Sequence, residues 1–438
     1  MIEIINIFLV FLILILFITF PLPITNYNLK NNYYLRDNYD KYSFNFLINI
    51  TFIFFVSFSN LNLQNYFYII LCTGLILNLY YQIKFNNYFN YFKNIEFIFF
   101  IILNIIIFLF LVQNPILAWD GLENWFFKVQ LFFLDYNFFD LKDVKGLNYY
   151  PHFGTVLWAF FWKNSFLTNE YVGRFVYAFI YLLSIFSLGQ IIKNKTITKI
   201  LTISLIILLC FDDFLFRGYQ EILLFSFFIF ISKNFYYYVK DEKNLNLFIC
   251  FIYLNLLPWI KHEGYLLSVI FTISLIFLIN NFNDKIKILA FVILTWILIF
   301  LKNFLFQKYI DLNITHGADL NFLIDIEILK EFLLSFSLGV IVALFKYKIW
   351  FFIFFAFLIH NKIAKTSNNQ KFFFKFLKIN LFLYFVLITG IYYNLAFSEI
   401  ELNWWIDNSL DRILYSISGL FIISLVITLD NLKYYNLK

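Results

Sequence analysis

Two carboxylates lie between tryptophans, directly after an apolar run, in residues 119–125 (WDGLENW). Charged groups are costly in hydrocarbon and aromatic rings collect at the lipid–water boundary, so this segment predicts the mouth of a site at a membrane surface. A carboxylate placed there could act as a general base that takes a proton from an incoming hydroxyl. The alternative is structural, because Asp120 could cap a helix and Glu123 could complete a capping box.

Further groups that could bind a phosphate or an acceptor follow beside later apolar runs. They are Lys128, Tyr150, His152, Glu221, Lys261, His262, Glu263, Asp411 and Arg412. Singly, each has an ordinary explanation: the two histidines lie outside the apolar runs, which predicts polar surface positions, and a cation often anchors a helix at the interface. Together they suit a lipid phosphate, with cations holding the phosphate, a carboxylate deprotonating the hydroxyl, and apolar walls holding a prenyl chain.

Composition predicts the elements that must position these groups. Hydrophobic residues make up 62% of the chain and charged residues 14%, with a mean hydropathy of +0.78. We therefore expect an all-α, polytopic transmembrane helical bundle. At about 20 apolar residues per span, we count about 13 spans. They start near Ile4, Phe44, Tyr66, Ile95, Val172, Ile200, Ile222, Leu245, Leu266, Ile286, Leu334, Ile379 and Ile413.

The connections between these runs predict the orientation. Lysine and arginine recur on alternate connections and are densest in residues 362–378, which the positive-inside rule assigns to the cytoplasm. The candidate residues then fall on the external side. We expect a single integral-membrane domain with N-terminal helices in 1–113, an external loop in 114–171 and further helices in 172–438. The expected location is a bacterial plasma membrane, with the site facing the periplasm or the outside.

Three segments need a finer prediction. Residues 122–134 predict an amphipathic helix at the interface, with one face formed by Leu122, Trp125, Phe126, Val129 and Phe133. Residues 153–162 form an apolar stretch that is too short to span. Residues 332–360 are interrupted by two lysines. Two crossings there would place the basic loop 362–378 outside, so we favour one crossing with a surface or re-entrant segment.

Several classes of function are disfavoured. Cys72, Cys210 and Cys250 lie in apolar runs without metal-ligand or CxxC spacing, which predicts neither disulfides nor a zinc site. The net charge of +6 is scattered over short loops, so it fits the positive-inside bias and not nucleic-acid binding. We find no Gly-rich phosphate loop, HExxH or GxSxG in a suitable context, which favours a lipid-linked donor over a nucleotide.

The order of the motifs resembles the GT-C superfamily of integral-membrane glycosyltransferases, which includes protein O-mannosyltransferases and lipid A aminoarabinose transferases, and bacterial envelope members are the most similar. Residues 119–128 resemble the first external loop of that family, and residues 148–151 its following Tyr-Pro. Residues 218–221 resemble a Gly-Tyr-x-acid helix start, and residues 261–264 a Lys-Asn-Glu-Gly motif. Residues 402–412 resemble a Trp-His segment that ends in Ser-x-Asp-Arg.

The resemblance covers the chain from about Trp119 onward, and the first three spans look like an addition. Three positions depart from the family pattern: Glu221 stands where Asp is common, His262 where Asn is common, and Trp405 where His is common. The exchange at Trp405 puts any role for a histidine there in doubt.

The resemblance implies that a sugar moves from a polyprenyl-phosphate carrier to an acceptor hydroxyl on a lipid, glycan or protein. Asp120 would be the base. The secondary acids would be Glu123, Glu221 and Glu263, and the phosphate-side cations Lys128, Lys261 and Arg412. Relatives occur with and without a divalent ion, so a metal stays undecided and we expect no other cofactor.

Two alternatives stay open. An O-antigen-type polymerase or ligase should carry paired arginines in its external loop, whereas residues 114–171 contain no arginine and more acids than cations. A polytopic transporter should show duplicated halves and helices broken by glycine or proline near the midplane. The chain has only 12 Gly and 5 Pro, we find no internal repeat, and its charges gather at one surface.

Overall fold

The computed structural model describes residues 2–19, 38–59, 61–85, 94–143, 150–193, 196–212, 216–310, 326–360, 367–397 and 401–432. Within these ranges every regular element is helical and no strand occurs. The predicted all-α class is confirmed. Parts of the 148–151 motif and of the basic loop 362–378 lie outside the described residues.

Seven helices are long and apolar enough to cross a membrane. They are Ile95–Gln113, Tyr171–Gly189, Glu221–Asp241, Lys285–Ile310, Ile328–Lys346, Asn368–Leu395 and Leu402–Leu432. Six further apolar helical segments have 10–17 residues, and two of them, Ile7–Thr19 and Leu63–Ile76, are parts of longer helices. Since an α-helix rises 1.5 Å per residue, 17 residues cover about 25 Å, less than the hydrocarbon core of about 30 Å. The chain is thus a helical membrane protein by length and composition, and seven of the predicted spans meet this criterion.

The chain divides into two compact units, the first formed by Met1–Ile207 and Phe211–Ser226. Its helices are α1 (Ile2–Thr19), α2 (Asn38–Val56), α3 (Leu63–Phe85), α4 (Ile95–Gln113), α5 (Phe127–Phe133), α6 (Phe153–Lys163), α7 (Tyr171–Gly189) and most of α8 (Thr196–Cys210). Helix α7 is the centre of this unit and packs against α2, α4 and α6. The ring of Phe179 lies 5.5 Å from Phe46 and 5.4 Å from Phe100. These three phenylalanines act as packing residues, whereas others in the unit, such as Phe8 and Phe55, are exposed.

The second unit comprises Leu208–Cys210 and Phe227–Lys438. Its helices are most of α9 (Glu221–Asp241), then α10 (Asn244–Ile260), α11 (His262–Phe277), α12 (Lys285–Ile310), α13 (Ile326–Lys346), α14 (Ile349–His360), α15 (Asn368–Leu395), α16 (Leu402–Trp405) and α17 (Asp411–Leu432). Helix α17 packs against α13, α14 and α15. Large apolar side chains on α12 and α13 are exposed, as expected for lipid-facing helices.

Helices α13 and α14 pass along α15 in one direction. Phe332, near the start of α13, lies 5.4 Å from Tyr393 at the end of α15, and Phe357 in α14 lies 5.9 Å from Phe374 near its start. If α13 and α14 formed a hairpin, α14 would return toward Tyr393, whereas its contact with Phe374 lies near the opposite end of α15. Residues 332–360 therefore form one broken path along α15, and the single crossing that the lysine distribution favours stays a prediction.

Helices α10 and α11 form a tight hairpin that places Lys261 at its turn. Pro258 has no N–H, so the carbonyl of Leu254 loses its helical donor. The hydroxyl of Ser268 on α11 lies 2.9 Å from that carbonyl oxygen and 2.9 Å from the Gly264 carbonyl oxygen of its own helix, so it can donate to either. Gly264 is required for the close approach, because a Cβ there would overlap the α10 backbone. The sequence thus fixes the turn that carries the 261–264 motif.

Candidate functional site

The helix that carries Asp120 begins one residue before it. Asp120 has helical dihedral angles, φ −59° and ψ −37°, and makes no capping hydrogen bond with its side chain. The first helical carbonyl is that of Ala118, which accepts from the Leu122 N–H at 2.9 Å, and the Ala118 N–H donates to the Arg217 carbonyl at 3.0 Å. The capping alternative for Asp120 is therefore wrong, since Ala118 precedes the helix. The Oδ1 atom of Asp120 accepts from Asn124 Nδ2 at 3.1 Å.

Residues Gly121–Phe126 form a π-helical turn, which continues into α5. The helix predicted over 122–134 is present, and Trp125 and Val129 of its predicted apolar face are buried. Leu122 of the same face is 50% exposed, and Lys128, which was not placed on that face, is buried. A π-helical turn contains more residues than an α-helical turn, so the side chains within it point in other directions than an α-helix would give them. An apolar face predicted with the α-helical period is therefore displaced there. Such turns occur frequently at functional sites.

The Asp120 segment packs directly on the turn that precedes α9. A Cβ on Gly121 would overlap the carbonyl oxygen of Arg217, and a Cβ on Gly218 would lie 2.9 Å from the Gly121 Cα. Gly218 also has φ +101°, a conformation that favours glycine. Two of the predicted motifs, 119–128 and 218–221, therefore meet backbone to backbone.

Arg174 on α7 holds both sides of this junction in place, a role that the sequence analysis missed. Its guanidinium donates to the carbonyls of Pro115 at 2.6 Å and Phe216 at 3.2 Å. It also pairs with Glu170, with Nε–Oε2 and Nη2–Oε1 distances of 3.1 and 2.9 Å. Burial raises the pKa of Glu170 to about 7, although the charge of Arg174 opposes this shift. The i,i+4 spacing of the pair was the available sequence signal.

Lys128 and Tyr150 lie together in the first unit. Lys128 is 1% exposed, and its ammonium donates to the backbone oxygen of Tyr150. The ring of Tyr150 lies edge-on to Trp125 at 5.3 Å. The contact uses the Tyr150 backbone, so it ties the start of the following segment to the Asp120 helix. Glu123 lies on the same helix and is exposed.

His152 lies in the apolar core, which corrects the predicted surface position. It is fully buried among the rings of Phe54, Phe132 and Phe138, at 5.4, 5.6 and 5.0 Å. Its Nε2 lies 3.2 Å from the Ser57 hydroxyl. The histidine precedes α6, a helix of 11 residues that is too short to span, as predicted. These partners come from distant parts of the chain, which local sequence cannot reveal.

Glu221 is buried at the first residue of α9, where the positive end of the helix dipole favours an acid. The preceding Gln220 donates from Nε2 to the Tyr177 hydroxyl at 2.9 Å. Asp212 is half-buried in the connection before α9, and Asp213 lies outside the described residues. Glu221 thus belongs to the same junction as Gly218.

In the second unit, charged groups of two motifs surround Tyr392 on α15. Lys261 and Glu263 form an ion pair at 2.8 Å at the hairpin turn. The charges of Lys261, Glu263 and Arg412 all act on the Tyr392 phenol, whose oxygen lies 2.7 Å from the Ser409 hydroxyl. The 261–264 and 402–412 motifs therefore meet at this tyrosine. His262 is half-buried as the first residue of α11, outside the core as predicted.

The segment before α17 contains a second π-helical turn, Ile406–Leu410. Arg412 donates from its guanidinium to the Asn408 carbonyl at 2.8 and 2.5 Å. Asp411 pairs with Lys346 at the end of α13, with a distance of 2.5 Å. Lys346 was treated only as an interruption of an apolar run, because its partner lies 65 positions further along the chain.

The predicted site residues thus form two groups, one in each unit. Asp120, Glu123, Lys128, Tyr150, His152 and Glu221 belong to the first unit, and Lys261, His262, Glu263, Asp411 and Arg412 to the second. Among the described residues, no group of three or more His, Cys, Asp or Glu side chains is placed to hold a metal ion.

Two buried lysines contradict the expectation that charges gather at one surface. Lys233 and Lys302 lie within candidate spans and are 1% and 3% exposed. The Lys302 ammonium lies 4.8 Å from the centre of the Phe306 ring, and that of Lys233 lies 5.4 Å from the Tyr237 ring. Aromatic faces attract cations, which offsets part of the cost of burial.

No family model, no curated protein and no solved structure matches this chain. The functional conclusion therefore depends on the geometry of the two groups described above.

Proposed function

We propose that the protein is a glycosyltransferase of the GT-C type, with about 13 spans. It would move a sugar from a polyprenyl-phosphate donor to an acceptor hydroxyl on the extracytoplasmic side of a bacterial plasma membrane. The observation that carries this proposal is the backbone contact between Gly121 and Gly218, because it fixes the segment of Asp120 against the motif that ends at Glu221. A general base must be held within hydrogen-bond reach of its proton, and such rigidity supports that role.

In the first unit, Asp120 is the proposed base. Trp119 and Leu122 flank it and are 66% and 50% exposed, which suits an acid next to lipid. Arg174 positions both segments that frame the acid. Lys128 is more suitable for holding the Tyr150 backbone than for capturing a phosphate, because it is buried and already donates to that oxygen.

In the second unit, Lys261 and Arg412 are the proposed phosphate ligands. Phosphate recognition requires cations held close together, with hydrogen-bond donors beside them. The Tyr392 phenol lies 2.7 Å from the Ser409 hydroxyl, which donates to the Trp405 carbonyl at 2.7 Å, so a phosphate would recruit these hydroxyls by replacing one of those bonds. An entering phosphate would compete with Glu263 for Lys261, so the carboxylate would keep the cation in place until the donor binds.

Substitution of the proposed base tests the chemistry. Asp120→Asn is nearly isosteric but cannot accept the proton, so we expect transfer from radiolabelled prenyl-phosphate sugars to fall by about 10²–10⁴-fold in membranes. Asp407→Asn removes an exposed carboxylate from the other π-helical turn and should keep wild-type transfer. Transfer by purified Asp120→Asn at the wild-type rate would exclude Asp120 as the base.

Substitution of the proposed phosphate ligand tests donor binding. Arg412→Ala should weaken binding of the carrier lipid by about 10–100-fold, since a hydrogen bond to a charged group contributes about 1.5–3 kcal/mol. The thermal unfolding temperature should change little. Unaltered carrier binding would assign Arg412 to anchoring of its helix.

A further inference from the structure

A polar cavity of about 320 Å³ in the second unit belongs to none of the motifs discussed above. It lies where the α9–α10 turn, the α11–α12 turn and the start of α15 meet. Small-molecule pockets typically have volumes of about 300–1,000 Å³, so this cavity can hold one small polar group. The volume alone does not identify the ligand, but the residues that line the cavity indicate its chemical class.

Amide side chains dominate the rim of the cavity. Five of them line it: Asn244, Asn281, Asn283, Asn368 and Asn369. Each amide can both donate and accept hydrogen bonds. A ligand that fits this rim must therefore offer several groups that also do both, which is the property of hydroxyls.

Aromatic rings form an apolar side of the same cavity. The buried ring of Phe282 lies 5.0 Å from Phe372 and 6.4 Å from Tyr238, and all three residues line the cavity. Ring faces of this kind can pack against the C–H face of a sugar. The lining thus combines amides on one side with aromatic surface on another.

The charges around the cavity disfavour an ionic ligand. Asp284 and Lys287 form an ion pair at 2.6 Å, so their charges cancel. Glu242 leaves one negative charge and accepts from Asn283 Nδ2 at 2.5 Å. Helices α10, α12 and α15 begin here, and their N-terminal ends carry partial positive charge. An anionic ligand would be repelled by Glu242, and the helix N-termini offset part of the attraction of that carboxylate for a cation.

Glu242 directly follows the end of α9 and has φ +54°, the left-handed conformation that often ends an α-helix. This conformation places the Glu242 carboxylate beside the amides of the neighbouring turn.

We propose that this cavity binds the neutral sugar ring of a free monosaccharide or of a glycolipid head group. Hydroxyls of the ring would bond the asparagine amides and Glu242, and its C–H face would pack against Phe282 and Phe372. No residue assigned to glycosyl transfer lines the cavity, so the two proposals are independent.

Saturation-transfer NMR on the full chain in phosphatidylglycerol nanodiscs tests the proposal with D-glucose, D-mannose and N-acetyl-D-glucosamine. We expect saturable binding of at least one probe, weakened about tenfold by the double variant Asn281→Ala/Asn369→Ala, since each lost hydrogen bond contributes about 0.5–1.5 kcal/mol. The matched control is Asn280→Ala, which changes an amide in the same turn that accepts from Lys285 and does not line the cavity. Both variants alter exposed side chains, so they should fold.

A second arm separates the two sources of the sugar ring. The same nanodiscs are prepared with glucosyl diacylglycerol, and the lipid bound to the recovered protein is quantified for the wild type and both variants. Binding of a free sugar assigns a soluble ligand, and binding of the glycolipid alone assigns a head group. The absence of saturable binding in both arms overturns the proposal, as does an equal loss in Asn280→Ala.

Discussion

Substitution of Gly218 by alanine tests whether the contact beneath Asp120 is as rigid as the proposed function requires. The added Cβ would lie 2.9 Å from the Gly121 Cα, whereas ordinary contact begins at 3.4 Å, so the Asp120 segment must move by 0.5 Å. A displacement of about 1 Å can cost 10²-fold in rate, so about half an ångström should cost about tenfold. Strain at φ +101° adds to this, and together with crowding it should lower the free energy of unfolding by about 2–4 kcal/mol.

The assay compares sugar transfer in membranes with thermal unfolding of the purified protein, followed by tryptophan fluorescence. Gly390→Ala is the matched control, because its Cβ would have no atom within 4 Å. It should keep transfer and should not lower stability, since alanine favours a helix over glycine. If Gly218→Ala kept both wild-type transfer and wild-type stability, the contact between Gly218 and Gly121 would be able to accommodate the extra methyl group. Asp120 would then not be held rigidly by this contact.

Three further predictions concern stability, each measured by thermal unfolding. Arg174→Met removes one partner of a buried ion pair and should cost about 3–5 kcal/mol. Glu170 has its pKa raised by burial from 4.5 to about 7, so the folded protein keeps a proton that the unfolded chain releases. Stability should therefore fall as the pH rises through that window, and Glu170→Gln should flatten the slope. Ser268→Ala removes a hydroxyl that can donate to the Leu254 carbonyl across the hairpin as well as to Gly264 in its own helix, and should cost about 1–3 kcal/mol, whereas Ser274→Ala, whose hydroxyl bonds its own helix, should change little.

The sequence predicted the presence of the helices because each one coincides with a contiguous, mainly apolar run of residues. The run expected near Val172 begins at Tyr171, and the run expected near Leu245 begins at Asn244.

The errors lie where distant residues decide the outcome. The surroundings of His152 include Phe54, nearly a hundred positions earlier, so its burial could not be predicted from its neighbours in sequence. Arg174 binds carbonyls 59 and 42 positions away. Leu122 is exposed although Trp125 and Val129 of the same predicted face are buried, because a π-helical turn changes the helical period within a single turn.

Both motif segments next to the proposed chemistry contain one such widened turn, Gly121–Phe126 and Ile406–Leu410. A widened turn holds one residue more than the regular helix that continues on either side of it. Loss of a single codon there would therefore leave an unbroken helix, while rotating everything on its N-terminal side by about 100° around the axis. Trp119 and Asp120 would then face a different direction on an intact scaffold. The number of residues in these two turns is therefore as informative as the identity of those residues when relatives of this chain are sought.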